Sequence, residues 1–353
     1  MATAVEIALA KQPYFDLNSL CKTVFVTYKA GPKLDKLVTV QSQYVDICNK
    51  PGVRGTVVSL AGSPGSHNDI KYMRDSFEKH NIRLVCTNWP GSEFVTGETH
   101  DDTCKCIVQL DSGGLRDSYT NEERNSYVKA LMEKLGMKNV EKLIVMGHSR
   151  GGESALQMAC ILSEDRSWPL IGAVMINSPG FVMHRGISVR MGTINTLAYL
   201  IKLRWKMIDC VLFPVLDWFY NDFIGLRVAD GKVSAAAILP MQTFAFEKQK
   251  ASMDEMKKKP WVRMFYAYGS KDFLVAESDS EELAMYFKGD HYVIKDKKES
   301  EEAIPKIWNS YANGQPYVTA NFTEEGHYLQ KTYPEFLIQV LGGMFDVETK
   351  SSK

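Results

Sequence analysis

The chain has 353 residues, 45% of them hydrophobic, with 42 basic side chains against 42 acidic ones. Length and apolar content allow a large buried core, and a formal net charge of zero gives no reason to expect nucleic acid or an anionic membrane surface as a partner. Seven cysteines are an odd number without framework spacing. Cys86 and Cys160 sit in apolar runs, and Cys104 and Cys106 are too few for a metal site, so free thiols and a reducing, cytoplasmic location are expected. The opening MATAVEIALAKQPYFD has no basic end and a glutamate in its apolar run, which makes it a poor signal peptide. Without such a signal, the glycosylation sequon at Asn321-Phe322-Thr323 means little.

In chain order, KTVFVTYKAG and KLVTVQSQYVDIC, joined by GPKLD, predict an antiparallel hairpin at a sheet edge. TVVSLAGSPGS at 56–66 is a buried strand running into a small-residue loop. HNDIKYMRDSFEKH predicts a helix and IRLVCTNWPG a strand. Residues 92–120 form a long connection containing His100, which reads better as a surface histidine than as a site residue. NEERNSYVKALMEKLG is a helix ended by Gly136, followed by the strand KLIVMGHS. LIGAVMINSPG, VRMFYAYGS and PYVTANF are further strands, with the helix SDSEELAMYFKG before the last of them. Strands alternating with helices imply a parallel sheet covered on both faces. The charged stretches MDEMKKK and KDKKESEE read as solvated surface.

The alternation stops at about residues 181–255. This segment holds TLAYLIKLRWKMIDCVLFPVLDWFYNDFIGL, in which Lys202, Arg204, Lys206, Asp209 and Asp217 recur too often for a membrane span. Helices with a wide apolar face are expected there. Three segments follow: 1–180, the insertion 181–255, and 256–353.

The sharpest motif is Gly147-His148-Ser149-Arg150-Gly151-Gly152, which ends an apolar run and opens a helical one. A serine at a tight strand-to-helix turn has its hydroxyl pushed out of the sheet. Side chains at 147 or 151 would collide with the neighbouring strand or with the helix backbone, and the helix N-terminus favours developing negative charge. A serine needs a base, and imidazole has the right proton affinity. His327 follows the strand PYVTANF, and Asp272 follows the strand that ends at Gly269. The order Ser, Asp, His, each just past a strand's C-terminal end, is where open α/β sheets build sites. His291 beside Asp290 competes as base, but it starts an extended run. Asp279 or Glu277 replaces Asp272 if the strand ends later. Asn177-Ser178-Pro179 offers no carboxylate.

On these motifs the chain resembles the α/β-hydrolase superfamily from about residue 22 to 342. TNWPGSEFVTG and YTNEERNSYVKAL resemble, more narrowly, a group of uncharacterised nematode α/β-hydrolase-like proteins. The resemblance implies an α/β fold, with a mostly parallel central sheet and helices on both faces. It implies that 181–255 is a helical cap over the site, with Trp205, Phe213, Trp218 and Phe219 as pocket candidates. His148 should line the pocket or point away. Oxyanion donors should be the backbone N–H groups of Arg150 and Ser63. The family's usual His-Gly at the start of the oxyanion loop is Ala61-Gly62 here, so the loop lacks its ordinary brace. A serine hydrolase acting on an ester, thioester or amide with an apolar group is expected, with a small-molecule substrate. A binding protein on the same scaffold and a C–C bond hydrolase or lyase are the alternatives. No cofactor is expected: no Gly-x-Gly-x-x-Gly follows a strand, and no His/Cys/Asp cluster has metal-ligand spacing.

Overall fold

The computed structural model describes residues 17–347 except 31–33, 35, 64, 91, 93, 99–119, 184–187, 189–190, 204, 225–230 and 245. The strands are β1 (Cys21–Ala30), β2 (Lys36–Ile47), β3 (Thr56–Leu60), β4 (Arg83–Cys86), β5 (Val95–Glu98), β6 (Leu143–His148), β7 (Leu170–Ile176), β8 (Arg263–Gly269), β9 (Asp290–Ile294) and β10 (Tyr317–Phe322). The helices are α1 (Arg74–Lys79), α2 (Asn121–Lys134), α3 (Arg150–Glu164), α4 (Met191–Leu203), α5 (Lys206–Trp218), α6 (Gly231–Met241), α7 (Phe246–Lys257), α8 (Glu277–Tyr286), α9 (Lys297–Ala312), α10 (Leu329–Thr332) and α11 (Pro334–Asp346).

The strands form one sheet in the order β1-β2-β4-β3-β6-β7-β8-β10-β9, with β5 also on β2. From β4 to β9 all neighbours are parallel. The β1/β2 hairpin is antiparallel, as expected, and pairs Val26 with Val40. Its first strand alternates exposed and buried residues toward its end, the pattern of a strand with one wet face. The central strands β3, β6, β8 and β10 are buried throughout. Consecutive residues of these strands serve opposite faces. Val58, Val145 and Tyr266 join one apolar cluster with α2, α3 and α8. Val57, Ile144 and Phe265 join the other with α1, α9 and α11.

Of three further elements, only β9 was foreshadowed, by the extended run that His291 starts. β5 lies inside the long connection after residue 92 and pairs with β2. β9 is an edge strand beside β10. The charged segment at 295–302 opens α9, whose N-cap Asp296 accepts from the Glu299 N–H. Its solvated face concealed a helix with Ile304 and Ile307 buried beneath.

Within the insertion, α4, α5 and α6 share an apolar cluster of their own, built on Ile194, Ile201, Leu212, Leu216, Tyr220, Ile238 and Leu239. The expected boundary at 255 cuts α7, which sends Met253 and Met256 into the sheet's core.

Candidate active site

β3 continues to β4 on one side and β6 lies on its other side, so the chain's direction of travel across the sheet reverses there. At such a reversal the loops leaving two adjacent parallel strands part and leave a crevice. The loop after β3 and the turn after β6 occupy it.

Ser149 sits in that turn at φ 55° and ψ −130°, a conformation that costs a non-glycine residue about 1–3 kcal/mol. Packing enforces it. Ser149 N–H donates to Ile176 O at 2.8 Å, and its carbonyl accepts from Gly152 N–H at 2.8 Å. A Cβ on Gly147 would drive into the backbone of Gly151, and one on Gly151 into the carbonyl oxygen of Leu60. Arg150 opens α3, so its N–H has no intrahelical acceptor.

His327 and Asp272 meet across the loops after β10 and β8. His327 Nδ1 donates to Asp272 Oδ2 at 2.6 Å, and both side chains are buried. Asp272 Oδ1 accepts the N–H groups of Leu274 at 2.7 Å and Val275 at 3.1 Å. Burial alone would raise the Asp272 carboxyl, but the His327 hydrogen bond and charge, with these two amides, hold it below the ordinary carboxylate value. The competing residues lie elsewhere. His291 stands on the edge strand β9, bonded to Thr319 Oγ1 at 2.7 Å. Glu277 and Asp279 lie in the first turn of α8. His100 lies outside the described residues.

Asn177 has a part that its neighbours in sequence did not suggest. At φ 46° it donates through Nδ2 to Asp272 Oδ2 at 3.1 Å and to Gly326 O at 3.2 Å. It supplies no carboxylate but orients the one that Asp272 brings.

The loop after β3, which lacks the histidine usual in the family, is braced otherwise. Asp69 accepts the Gly62 N–H at 2.8 Å and the Ser66 N–H at 3.1 Å. Trp89 Nε1 donates to Ala61 O at 2.7 Å, and the Arg124 guanidinium lies 3.7 Å over the Trp89 ring. With the Gly62 N–H engaged, Ser63 offers the next N–H of the loop. Burial pushes the Asp69 carboxyl up to about 6, against the lowering effect of its two amide donors and of His327 and Lys71.

His148 packs beside His327 at 4.7 Å between ring centroids and donates Nε2–H to the His327 carbonyl at 2.6 Å. Burial, then the neighbouring His327 charge, lowers its pKa to about 3, so it is a neutral brace. Trp205 and Trp218 are exposed, and Phe213 and Phe219 pack against the insertion's own cluster. The resemblance offered these aromatics as pocket candidates on a cap, but α5 is apolar on more than one side. The rings beside His327 are Phe273 at 5.8 Å and Tyr328 at 5.3 Å. The insertion does reach the elbow through its last turn. The buried Arg150 guanidinium binds Pro240 O, Asn121 Oδ1 at 2.9 Å and Thr243 Oγ1 at 3.0 Å, with Phe244 4.2 Å from it. Among the described residues no cluster of His, Cys, Asp and Glu is arranged to hold a metal, and no helix is long and apolar enough to cross a membrane.

A crevice of this kind on a mostly parallel sheet, with Ser, Asp and His in that chain order after β6, β8 and β10, defines a class. The chain belongs to the α/β hydrolases, in the family described as "alpha/beta hydrolase of unknown function", whose model matches residues 20–346. An uncharacterised protein of Caenorhabditis elegans is 58% identical over 339 residues, 96% of this chain and 90% of that one, which agrees with the nematode resemblance. Among solved structures, an esterase from Exiguobacterium antarcticum is similar at a TM-score of 0.52 and 14% identity, over 91% of this chain and 99% of that one. A thermophilic esterase from Thermogutta terrifontis gives 0.51 and 17%, over 91% and 96%. At those identities the likeness carries the fold alone.

Proposed function

We propose that the protein is a serine hydrolase that cleaves an ester, thioester or amide through an acyl-enzyme on Ser149. The observation that carries this reading is the buried 2.6 Å hydrogen bond between His327 Nδ1 and Asp272 Oδ2, set beside a serine held at positive φ on a strand-to-helix turn. Ser149 Oγ attacks the carbonyl carbon while its proton passes to His327 Nε2. Asp272 keeps the other proton on Nδ1 and compensates the imidazolium charge. The N–H groups of Arg150 and Ser63 receive the oxyanion. Collapse expels the alcohol, thiol or amine, which takes the proton from His327. Water then attacks the acyl-enzyme by the same steps in reverse.

Phe273 and Tyr328 support an apolar group on the substrate, since both rings stand within 6 Å of the His327 ring. The helices α4–α6 serve as a cap, joined to the nucleophile's turn through Arg150. The test is labelling with a fluorophosphonate. The native protein should be labelled and Ser149→Ala should not; label retained on the alanine variant rejects the reading. A p-nitrophenyl ester series measures the apolar preference, with kcat/KM rising about 10–200-fold at most per added methylene.

A further inference from the structure

Helix α5 is apolar on two sides. Ile208, Leu212 and Leu216 pack into the insertion's cluster. On the other side Met207 is 86% exposed, Val211 69%, Val215 50% and Trp218 57%. At about 100° per residue these four span, with exposed Cys210 and Pro214 between them, an arc of about 140° that holds no charged side chain. The neighbouring helix α4 shows the ordinary arrangement: its exposed positions include Thr193, Asn195, Thr196, Tyr199 and Lys202. Asp209 and Asp217 stand outside this arc, and a contiguous apolar patch in water marks an interaction surface.

We propose that the outer face of α5 seats on the surface of a bilayer containing anionic phospholipid. Two features select this partner. Exposed indoles stand at both ends of the helix, Trp205 before its first residue and Trp218 at its last, and indole rings settle at headgroup depth. The local charge is also complementary. In the sequence, residues 181–245 carry seven Lys or Arg against four Asp and no Glu, and Lys202 stands exposed in the last turn of α4, just before α5. The zero charge of the whole chain, which gave no reason to expect an anionic surface, averages this excess away. Thirteen helical residues are about 20 Å long, too short to span, so the helix lies in the plane of the interface. Packed against α5, α6 ends at Met241, and Pro240 in its last turn and Thr243 just past it are partners of Arg150, so α6 links α5 to the turn at Ser149. The docking itself needs no chemistry at Ser149 and stands apart from the hydrolase reading.

The experiment is co-sedimentation of the full chain with sucrose-loaded vesicles of phosphatidylcholine, with and without phosphatidylserine at about a third of the lipid. The protein should pellet with the mixed vesicles, and more weakly with phosphatidylcholine alone. Met207→Glu with Val211→Glu should weaken binding about a hundredfold or more, while circular dichroism, melting temperature and any fluorophosphonate labelling stay as in the native chain. Lys202→Glu should weaken binding to the mixed vesicles about fivefold or more and leave phosphatidylcholine unaffected. Absence of pelleting with either vesicle overturns the proposal, as does undiminished pelleting of the double variant. Light scattering gives a further check. A native dimer that the double variant converts to monomer assigns the face to a second copy and overturns the lipid assignment.

Discussion

The turn at Ser149 and the outer face of α5 both break a local rule of folding, but among the described residues only the first is enclosed by its neighbours. At the turn a non-glycine residue holds a left-handed φ of 55°, and everything around it enforces that conformation. Ile176 takes its N–H, neighbouring backbone packs directly against Gly147 and Gly151 where a Cβ would stand, and the Arg150 side chain is bound on several sides. On α5 a row of apolar side chains, Met207, Val211, Val215 and Trp218, is half or more exposed. On the proposed hydrolase reading, the enforced turn is a site whose geometry is fixed before a substrate arrives. A rule broken without compensation indicates a surface completed by something outside the chain.

The largest test of the contrast is kinetic. Ser149→Ala and His327→Ala should each lower kcat by about four orders of magnitude or more, and the double variant should cost little beyond either alone. Additive losses, measured by steady-state turnover, would show that the two do not act as a unit. Next comes the packing of the turn. Gly151→Ala has no space for its Cβ and should lose about 3 kcal/mol or more in urea unfolding. A loss under about 1 kcal/mol would mean that the turn relaxes and that Ser149 is not rigidly held.

The brace on the oxyanion loop should act through geometry. Asp69→Ala frees the Gly62 N–H and should lower kcat about 10- to 100-fold, with KM nearly unchanged. Asp69→Asn keeps an acceptor for that N–H and should restore most of the rate; equal losses in both variants would instead assign the effect to charge.

His148 gives a smaller, pH-dependent effect. Its folded pKa of about 3 lies below the ordinary 6.5, so between those values the unfolded chain binds more protons than the folded one. The stability it contributes is fully present above pH 6.5 and declines as pH falls toward 3. Asp69, raised from 3.8 to about 6, works in the opposite direction across its narrower window, because there the folded state holds the extra proton. His148→Gln keeps a donor for the His327 carbonyl and should reduce the loss between about pH 6.5 and pH 5 by about 2 kcal/mol. Identical urea midpoints for both proteins at each pH would reject the assignment. The smallest effect belongs to the uncompensated face: Val215→Ala should shift stability by no more than about 0.5 kcal/mol. A larger loss would mean that α5 is packed after all.

Much of the site was legible in the sequence. The glycines around Ser149 follow from steric demands within a few residues of the chain, and a strand, a turn and a helix leave their own periodic signatures. Asp272 and His327 could be found because each ends a buried apolar strand, and parallel strands deliver their C-terminal ends to one edge. Those signals are local, so they survive without a structure. The tertiary structure decided the contacts that have no local signature. Asp69 in place of a histidine brace, Asn177 behind Asp272 and Phe273 beside His327 each depend on which loops meet. The distance from Asn177 to Asp272 along the chain, 95 residues, carries no pattern to read. The facing of α5 was decided in the same way. Hydrophobic periodicity tells which residues are apolar, but a helix apolar on two sides has two possible inner faces, and only packing against α4 and α6 selects which one meets water.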